Sequence, residues 1–124
     1  MVGLTQFSIT NAAKLLAAGK ISSEELTNAH IAAMERFRDL NAFITETPEI
    51  ALQRAKESDT RRARGEILSP MDGIPIAVKD LFCTDGVLTT AGSHILEGFT
   101  PNYESTISQN LREAGAVMLG KTNL

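Results

Sequence analysis

The stretch Gly73-Ile74-Pro75-Ile76-Ala77-Val78-Lys79-Asp80 decides the fold of this chain, because it joins a fully apolar run to two charged residues. Ile74 to Val78 is apolar at every position instead of alternating, which is typical of a strand buried on both faces of a parallel sheet. The segment before it, Ser69 to Gly73, carries a turn signal. We therefore predict a buried strand that places Lys79 at its carboxyl end.

The sequence after Lys79 predicts a second strand beside the first. A Gly- and Thr-rich loop runs from Thr84 to Pro101, and a helix is predicted from Tyr103 to Ala114 with Gly115 as its stop. Ala116-Val117-Met118-Leu119 is another fully apolar strand. Two strands joined by a long connection with a helix favour a right-handed parallel crossover. The predicted fold class is therefore α/β.

The first half of the chain, residues 1–65, is predicted to be mainly helical, with residues 66–124 forming the strand, loop, helix and strand around Lys79. Its predicted elements are recognised by caps and apolar spacing. They are a helix from Ser8 to Gly19, a helix from the capping box Ser22-Ser23-Glu24-Glu25 to about Phe37, a strand over Asn41 to Thr45, and a helix from Thr47-Pro48 to Arg64.

Composition limits the classes of protein that fit. The chain has 124 residues, 43% hydrophobic and 22% charged, with a formal net charge of −3, which suits one soluble globular domain without a basic patch for nucleic acid or lipid. It contains neither a signal-peptide pattern nor an apolar run long enough to span a bilayer. Cys83 is the single cysteine, so an intrachain disulfide is excluded and a reducing, cytoplasmic location is expected.

Lys79 admits two interpretations from its position alone. Loops at the carboxyl ends of parallel strands are where α/β proteins hold ligands. Burial there disfavours the ammonium form, so a neutral lysine could accept a proton from a hydroxyl. Alternatively, Lys79 reaches solvent and pairs with Asp80, and spacing alone favours this second interpretation.

Three other features invite a functional interpretation, and each has a simpler structural one that we favour. His30 borders the apolar stripe of the second helix and is expected to be a polar residue at a packed edge. Cys83 is expected to be a buried small hydrophobe. The run Arg61-Arg62-Ala63-Arg64 is expected to be a solvated helix end whose cations suit the helix dipole.

The motif Gly73 to Asp80, followed by Gly86 and by Thr89-Thr90-Ala91-Gly92-Ser93, resembles the N-terminal part of the amidase signature family. The resemblance implies that Lys79 is the general base of a Ser-Ser-Lys triad. It also implies that the nucleophilic serine and the serine that relays the proton lie beyond Leu124. Ser93 has a structural place in the loop and not the nucleophile's.

Within the family, the loop from Gly86 to Phe99 looks most like the corresponding loop of the glutaminase subunits of glutamyl-tRNA(Gln) or aspartyl-tRNA(Asn) amidotransferases. That resemblance implies glutamine as the ammonia source and partner subunits of B and C type. Those partners would use ATP and Mg and would bring tRNA indirectly, with no cofactor in this chain and no membrane. Residues 1–124 are then the N-terminal part of a single amidase domain, an incomplete portion of the amidase signature fold, and are expected to be inactive alone. A fragment of a free-standing amidase and a non-enzymatic interaction module remain alternatives.

Overall fold

The structure is a computed structural model that describes residues 3–124. Its helices and strands, given in chain order, are α1 (Ile9–Ala17), α2 (Ser23–Arg36), β1 (Phe43–Glu46), α3 (Pro48–Ala63), β2 (Pro75–Lys79), α4 (Thr106–Glu113) and β3 (Val117–Thr122). Short 3-10 turns occupy Leu4–Gln6, Arg38–Leu40 and His94–Leu96. The predicted α/β class is confirmed. No helix in the described part of the chain has both the length and the apolar character needed to cross a bilayer.

The three strands form one sheet in the order β1-β3-β2. β2 and β3 are parallel, with Val78 opposite Lys121 and Lys79 opposite Thr122, so the predicted parallel unit is confirmed. β1 pairs with the other side of β3 in the antiparallel sense, which the sequence did not indicate. β3 was predicted to end at Leu119 but continues to Thr122. The extension places Lys121 inside the central strand.

The start of α2 is held both locally and by α3. The predicted capping box is present, because Ser22 Oγ accepts from Glu25 N at 3.0 Å and Ser22 N donates to Glu25 Oε2 at 2.9 Å. Asp59 of α3 also accepts from the backbone N–H groups of Ser23, at 2.7 Å, and Glu24, at 3.0 Å. A carboxylate at a helix N-terminus satisfies free N–H groups and interacts favourably with the helix dipole. These bonds fix α2 against α3.

The last helix begins later than the sequence predicted. α4 starts at Thr106 instead of Tyr103, because Ser105 is its N-cap and accepts from Ser108 N. The backbone N–H of Ser105 donates to the carbonyl of Cys83 at 2.8 Å. This bond attaches the segment before α4 to the loop that follows β2. Tyr103 therefore belongs to the loop and not to the helix.

Two buried apolar clusters connect the helices to the sheet. The first contains Ala12, Leu16, Leu26 and Ile74, and the second contains Ala51, Ala55, Val117 and Leu119.

The carboxyl end of β2 is covered on one face only. Val78 is buried, whereas Ala77 and Lys79 are exposed. Successive side chains of a strand point to opposite faces, so Ala77 and Lys79 share the open face. The prediction that this strand is buried on both faces is therefore wrong for the described residues.

Exposed apolar side chains predict that residues 1–124 alone self-associate. Ile95 is 92% exposed and Leu40 is 70% exposed, and several other large apolar residues are about half exposed. Exposed apolar surface favours contact with another chain. Sedimentation velocity over a dilution series should show oligomers or aggregates at the higher concentrations. A compact monomer with cooperative unfolding at all concentrations would contradict this expectation.

Candidate active site

Lys79 is the last residue of β2, and its side chain is exposed. Its backbone is fixed on both sides: it lies opposite Thr122 of β3, and its carbonyl accepts from Phe82 N at 3.1 Å in a tight turn. The predicted position at the carboxyl end of a parallel strand is therefore confirmed. The expected burial of the side chain is not found within residues 3–124, because alternation along β2 directs it to the open face.

Asp80, the residue after Lys79, does not pair with it. The Asp80 side chain is fully buried, and its Oδ2 atom accepts from Thr90 N at 3.0 Å and from Thr90 Oγ1 at 2.6 Å. Its Oδ1 atom lies 3.7 Å from the Nζ atom of Lys121. The alternative interpretation of Lys79 is therefore half right: its side chain does reach solvent. The predicted pairing with Asp80 is wrong, since the cation beside Asp80 is Lys121. Lys79 forms no salt bridge with any described residue.

Lys121 is completely buried, which is uncommon for a lysine. Its Nζ atom donates to the carbonyl of Phe82 at 2.7 Å and to Thr89 Oγ1 at 2.9 Å. Burial lowers the pKa of Lys121, and the charge of Asp80 acts in the opposite direction. Our sequence reasoning did not single out this residue. The available signal was a lysine placed just after an apolar strand that could continue through it.

The loop that contains Ser93 is packed against the end of β2. Ala91 N donates to the carbonyl of Asp80 at 2.9 Å, and Ala91 and Gly92 both have positive φ, 51° and 67°. A positive φ is unfavourable for alanine and persists where surrounding bonds enforce it. Ser93 Oγ accepts from Ile95 N at 3.2 Å and caps a short turn. The predicted structural place of Ser93 in the loop is confirmed by this cap.

The arginine run at the end of α3 is not simply a solvated helix end, because two of its members contact Asp72. Arg61 donates two hydrogen bonds to the buried Asp72, Nε to Oδ2 at 3.0 Å and Nη2 to Oδ1 at 2.7 Å. Arg62 Nη2 donates to the Asp72 carbonyl at 3.0 Å. Burial by itself would raise the pKa of Asp72, but hydrogen bonds from Arg61 and from Leu68 N outweigh it and hold that pKa below its ordinary value. These arginines therefore attach α3 to the turn before β2.

The other two candidates have structural surroundings. His30 is half-buried at the side of a groove between α2 and the sheet, and burial lowers its pKa. Cys83 is only partly buried, and its Sγ atom lies 3.2 Å from the hydroxyl of Tyr103. The prediction of full burial for Cys83 is therefore wrong. Within residues 3–124, no cluster of three or more His, Cys, Asp or Glu side chains could hold a metal ion.

The arrangement presents one amine on a rigid support. Lys79 stands on an open face at the end of β2, while the acidic neighbour that could neutralise it is buried on the other face with Lys121. Chemically, such an amine can accept or donate a proton once another group is placed beside it on the open face.

Comparison with known proteins identifies the family to which the chain belongs. The sequence profile of the family described as Amidase matches residues 25–124, so the chain belongs to the amidase family. Within that family, it is 60% identical over 121 residues to the A-type subunit of the glutamyl-tRNA(Gln) amidotransferase of Rhodospirillum rubrum, an alignment that covers 98% of this chain and 24% of the relative. The corresponding protein of Paramagnetospirillum magneticum is 58% identical over 124 residues, covering 100% of this chain and 25% of the relative.

Solved amidase structures share the fold. The native peptide amidase of Stenotrophomonas maltophilia matches with a TM-score of 0.86 and 38% identity, covering 96% of this chain and 25% of that one. A chain from a vestigial protein complex that reveals the evolutionary origins of an s-triazine catabolic enzyme matches with a TM-score of 0.90 and 37% identity, covering 95% of this chain and 26% of that one. The present chain thus spans about a quarter of the length of the relatives it matches. The predicted incomplete portion of the amidase signature fold is confirmed.

Proposed function

We propose that this chain is the N-terminal part of the amidase subunit of a tRNA-dependent amidotransferase. The whole subunit would release ammonia from glutamine, which is then used to amidate Glu-tRNA(Gln) or Asp-tRNA(Asn). Support comes from the 60% identity to a relative named as such a subunit. The observation that carries the proposal is Lys79 itself, held at the end of β2 with its amine on the open face and without an acidic partner among the described residues.

Lys79 is proposed as the general base of a Ser-Ser-Lys triad. The neutral amine takes a proton, through one serine, from the hydroxyl of a second serine, whose oxygen then forms a bond to the amide carbon of glutamine. The proton returns to the leaving nitrogen, the C–N bond breaks and ammonia departs. Water then hydrolyses the acyl-enzyme by the same route, and backbone N–H donors stabilise the oxyanion at each stage. Both serines and those donors would be supplied by residues after Leu124.

In the whole subunit, this chain would be the first portion of a longer polypeptide. Residues 1–65 and 66–124 together would be the first part of a single amidase domain. Downstream polypeptide would pack on the open face of β2, cover Lys79 and exclude water from the reacting groups. Subunits of B and C type would use ATP and Mg to activate the misacylated tRNA, so that tRNA is reached indirectly and in the cytoplasm.

A free-standing amidase is the second candidate, and the 38% identity to a peptide amidase favours it. The two candidates differ in partners and in substrate. Co-purification with an ATP-binding partner, together with glutamine hydrolysis, would support the amidotransferase. Hydrolysis of peptide amides by a monomer without partners would support the free-standing enzyme. An interaction module would bind a partner and hydrolyse neither substrate at any length of chain.

The 124-residue chain and the full-length protein that carries it are expected to differ completely in activity. The isolated chain should release no ammonia from glutamine above the rate of a buffer blank, because the two serines proposed to act with Lys79 would lie after Leu124. The full-length protein with its partner subunits should release ammonia readily. Ammonia release by the short chain that is lost in Lys79→Ala would contradict the proposal. So would a full-length protein that binds its partners but hydrolyses neither glutamine nor peptide amides.

A further inference from the structure

Lys121 is the only lysine in the described residues that is completely buried, and the proposed reaction does not use it directly. It lies opposite Val78 in the parallel pairing, so its side chain is on the covered face and Lys79 is on the other. Burial of a lysine is costly unless its charge is paired and its donors are satisfied. Such a group is expected to have a specific task in the structure.

The first task of Lys121 is mechanical. Its Nζ atom donates a hydrogen bond to the carbonyl of Phe82, and the N–H of Phe82 donates to the carbonyl of Lys79. The same Nζ atom holds Thr89, which begins the loop that packs against the strand end. One buried ammonium group therefore joins β3 to both ends of the loop between Lys79 and Thr89. The backbone that carries Lys79 is fixed from the neighbouring strand.

The second task is electrostatic. Asp80 follows Lys79 directly in the chain, and an uncompensated carboxylate on the other face of the strand end would favour the charged form of a neighbouring amine and weaken it as a base. Lys121 at 3.7 Å offsets that negative charge, and Thr90 holds the carboxylate on the buried face with two hydrogen bonds. Among the described residues, Cys83 and Glu104 are the other titratable groups that act on Lys121.

We propose that Lys121 is a positioning residue for Lys79, one that fixes the turn after Lys79 and neutralises Asp80 so that the Lys79 amine can lose its proton. The inference rests on the proposed role of Lys79 as general base. In the proposed reaction, amide hydrolysis, Lys121 acts through Lys79 and does not touch the substrate.

The test is the pH dependence of kcat/KM for glutamine hydrolysis by the full-length protein with its partner subunits. Lys121→Met keeps an unbranched side chain, one atom shorter, but leaves Asp80 uncompensated. The acid limb of the profile should move to higher pH by about one unit, the order of change expected when a nearby negative charge is no longer compensated. In the double variant Lys121→Met/Asp80→Asn the limb should return to the wild-type position, while kcat stays reduced because the tether to Phe82 is absent.

A purely structural role would lower activity without moving the limb. A folded Lys121→Met variant with an unchanged limb, or a double variant that remains shifted, would overturn the inference. If Lys121→Met does not fold, the single variant Asp80→Asn provides the test. The acid limb of its pH profile should move to lower pH, and a limb that stays in place or moves to higher pH would overturn the inference. Circular dichroism and partner binding establish folding for each variant.

Two controls complete the experiment. On the open side of the sheet, the titratable and charged groups around the neighbouring groove are His30, Arg38 and Glu46, and the last two pair with each other at 2.7 Å. His30→Gln should leave the limb in place, which excludes His30 as its origin.

Lys79→Ala separates the two proposals. Activity that survives in Lys79→Ala would refute the proposed function, whereas activity that depends on Lys79 without a shift in Lys121→Met would refute only the role of Lys121.

Discussion

Lys79→Ala in the full-length protein is expected to lower kcat/KM for amide hydrolysis by about a thousandfold or more, since general base catalysis typically contributes a factor of roughly 10² to 10⁴. The substitution removes the amine but leaves the backbone of β2 and its pairing with β3 unchanged. Because the side chain is exposed in the described residues, no buried contact is lost. The measurement is ammonia release at several glutamine concentrations, which separates kcat from KM.

The matched control is Lys20→Ala, which removes another exposed lysine from a turn far from β2 in the sequence. It should retain wild-type activity. Lys79→Arg should be as inactive as the alanine variant, because a guanidinium stays protonated at any working pH and cannot act as a base. A Lys79→Arg variant with substantial activity would show that positive charge, and not proton acceptance, is what the position supplies.

Asp72→Asn should destabilise the fold by about 3 kcal/mol, as is typical when one partner of a buried ion pair is removed. Asp72 is fully buried and receives two bonds from Arg61 and one from Leu68 N. Space around it is restricted as well, since a Cβ atom on Gly115, which has φ +89°, would lie 2.6 Å from the Asp72 carboxyl carbon. Denaturant unfolding of wild type and variant at one protein concentration gives the difference, because self-association changes apparent stability.

The same pair makes stability depend on pH in a defined direction. The pKa of Asp72 is lower in the folded protein than its ordinary value of 3.8. The stabilisation is therefore fully present above about pH 4 and is lost as the pH falls through the folded pKa. Acid unfolding of wild type should show this loss, and Asp72→Asn should lack it. Asp39→Asn changes an exposed carboxyl and should alter neither curve. Equal stability of Asp72→Asn and wild type would rule out this role for Asp72.

Local sequence signals predicted the elements of the fold well. The capping box at Ser22, the apolar runs of β2 and β3 and the crossover between them all depend on nearby residues, so they could be recognised directly. The antiparallel position of β1 could not be recognised from the sequence, because it depends on which strand edge remains free after β2 and β3 pair. The predicted start of α4 was too early, because Ser105 and not an earlier residue is the N-cap. These errors arise where a distant contact decides between two local possibilities.

The site was predicted less completely. The motif identified Lys79 and its place at a strand end, but adjacency in sequence suggested the wrong partner for Asp80. Neighbouring strand residues point to opposite faces, so Asp80 meets Lys121 from β3. Likewise, the charges of Arg61 and Arg62 gave no indication that Arg61 would bind the buried carboxylate of Asp72, or that Arg62 would bind the backbone carbonyl of the same residue. Pairings between distant charged residues require the fold before they can be assigned.

The parallel pairing of β2 with β3 has a consequence for synthesis of the protein on the ribosome. Val78 and Lys121 are neighbours in the sheet but about forty residues apart in the chain, a non-local contact of the kind that forms slowly. Between the emergence of β2 and that of β3, the apolar β2 segment is without its strand partner and is open to mispairing or to chaperones. Lys79 acquires its final backbone geometry only when translation has passed Thr122.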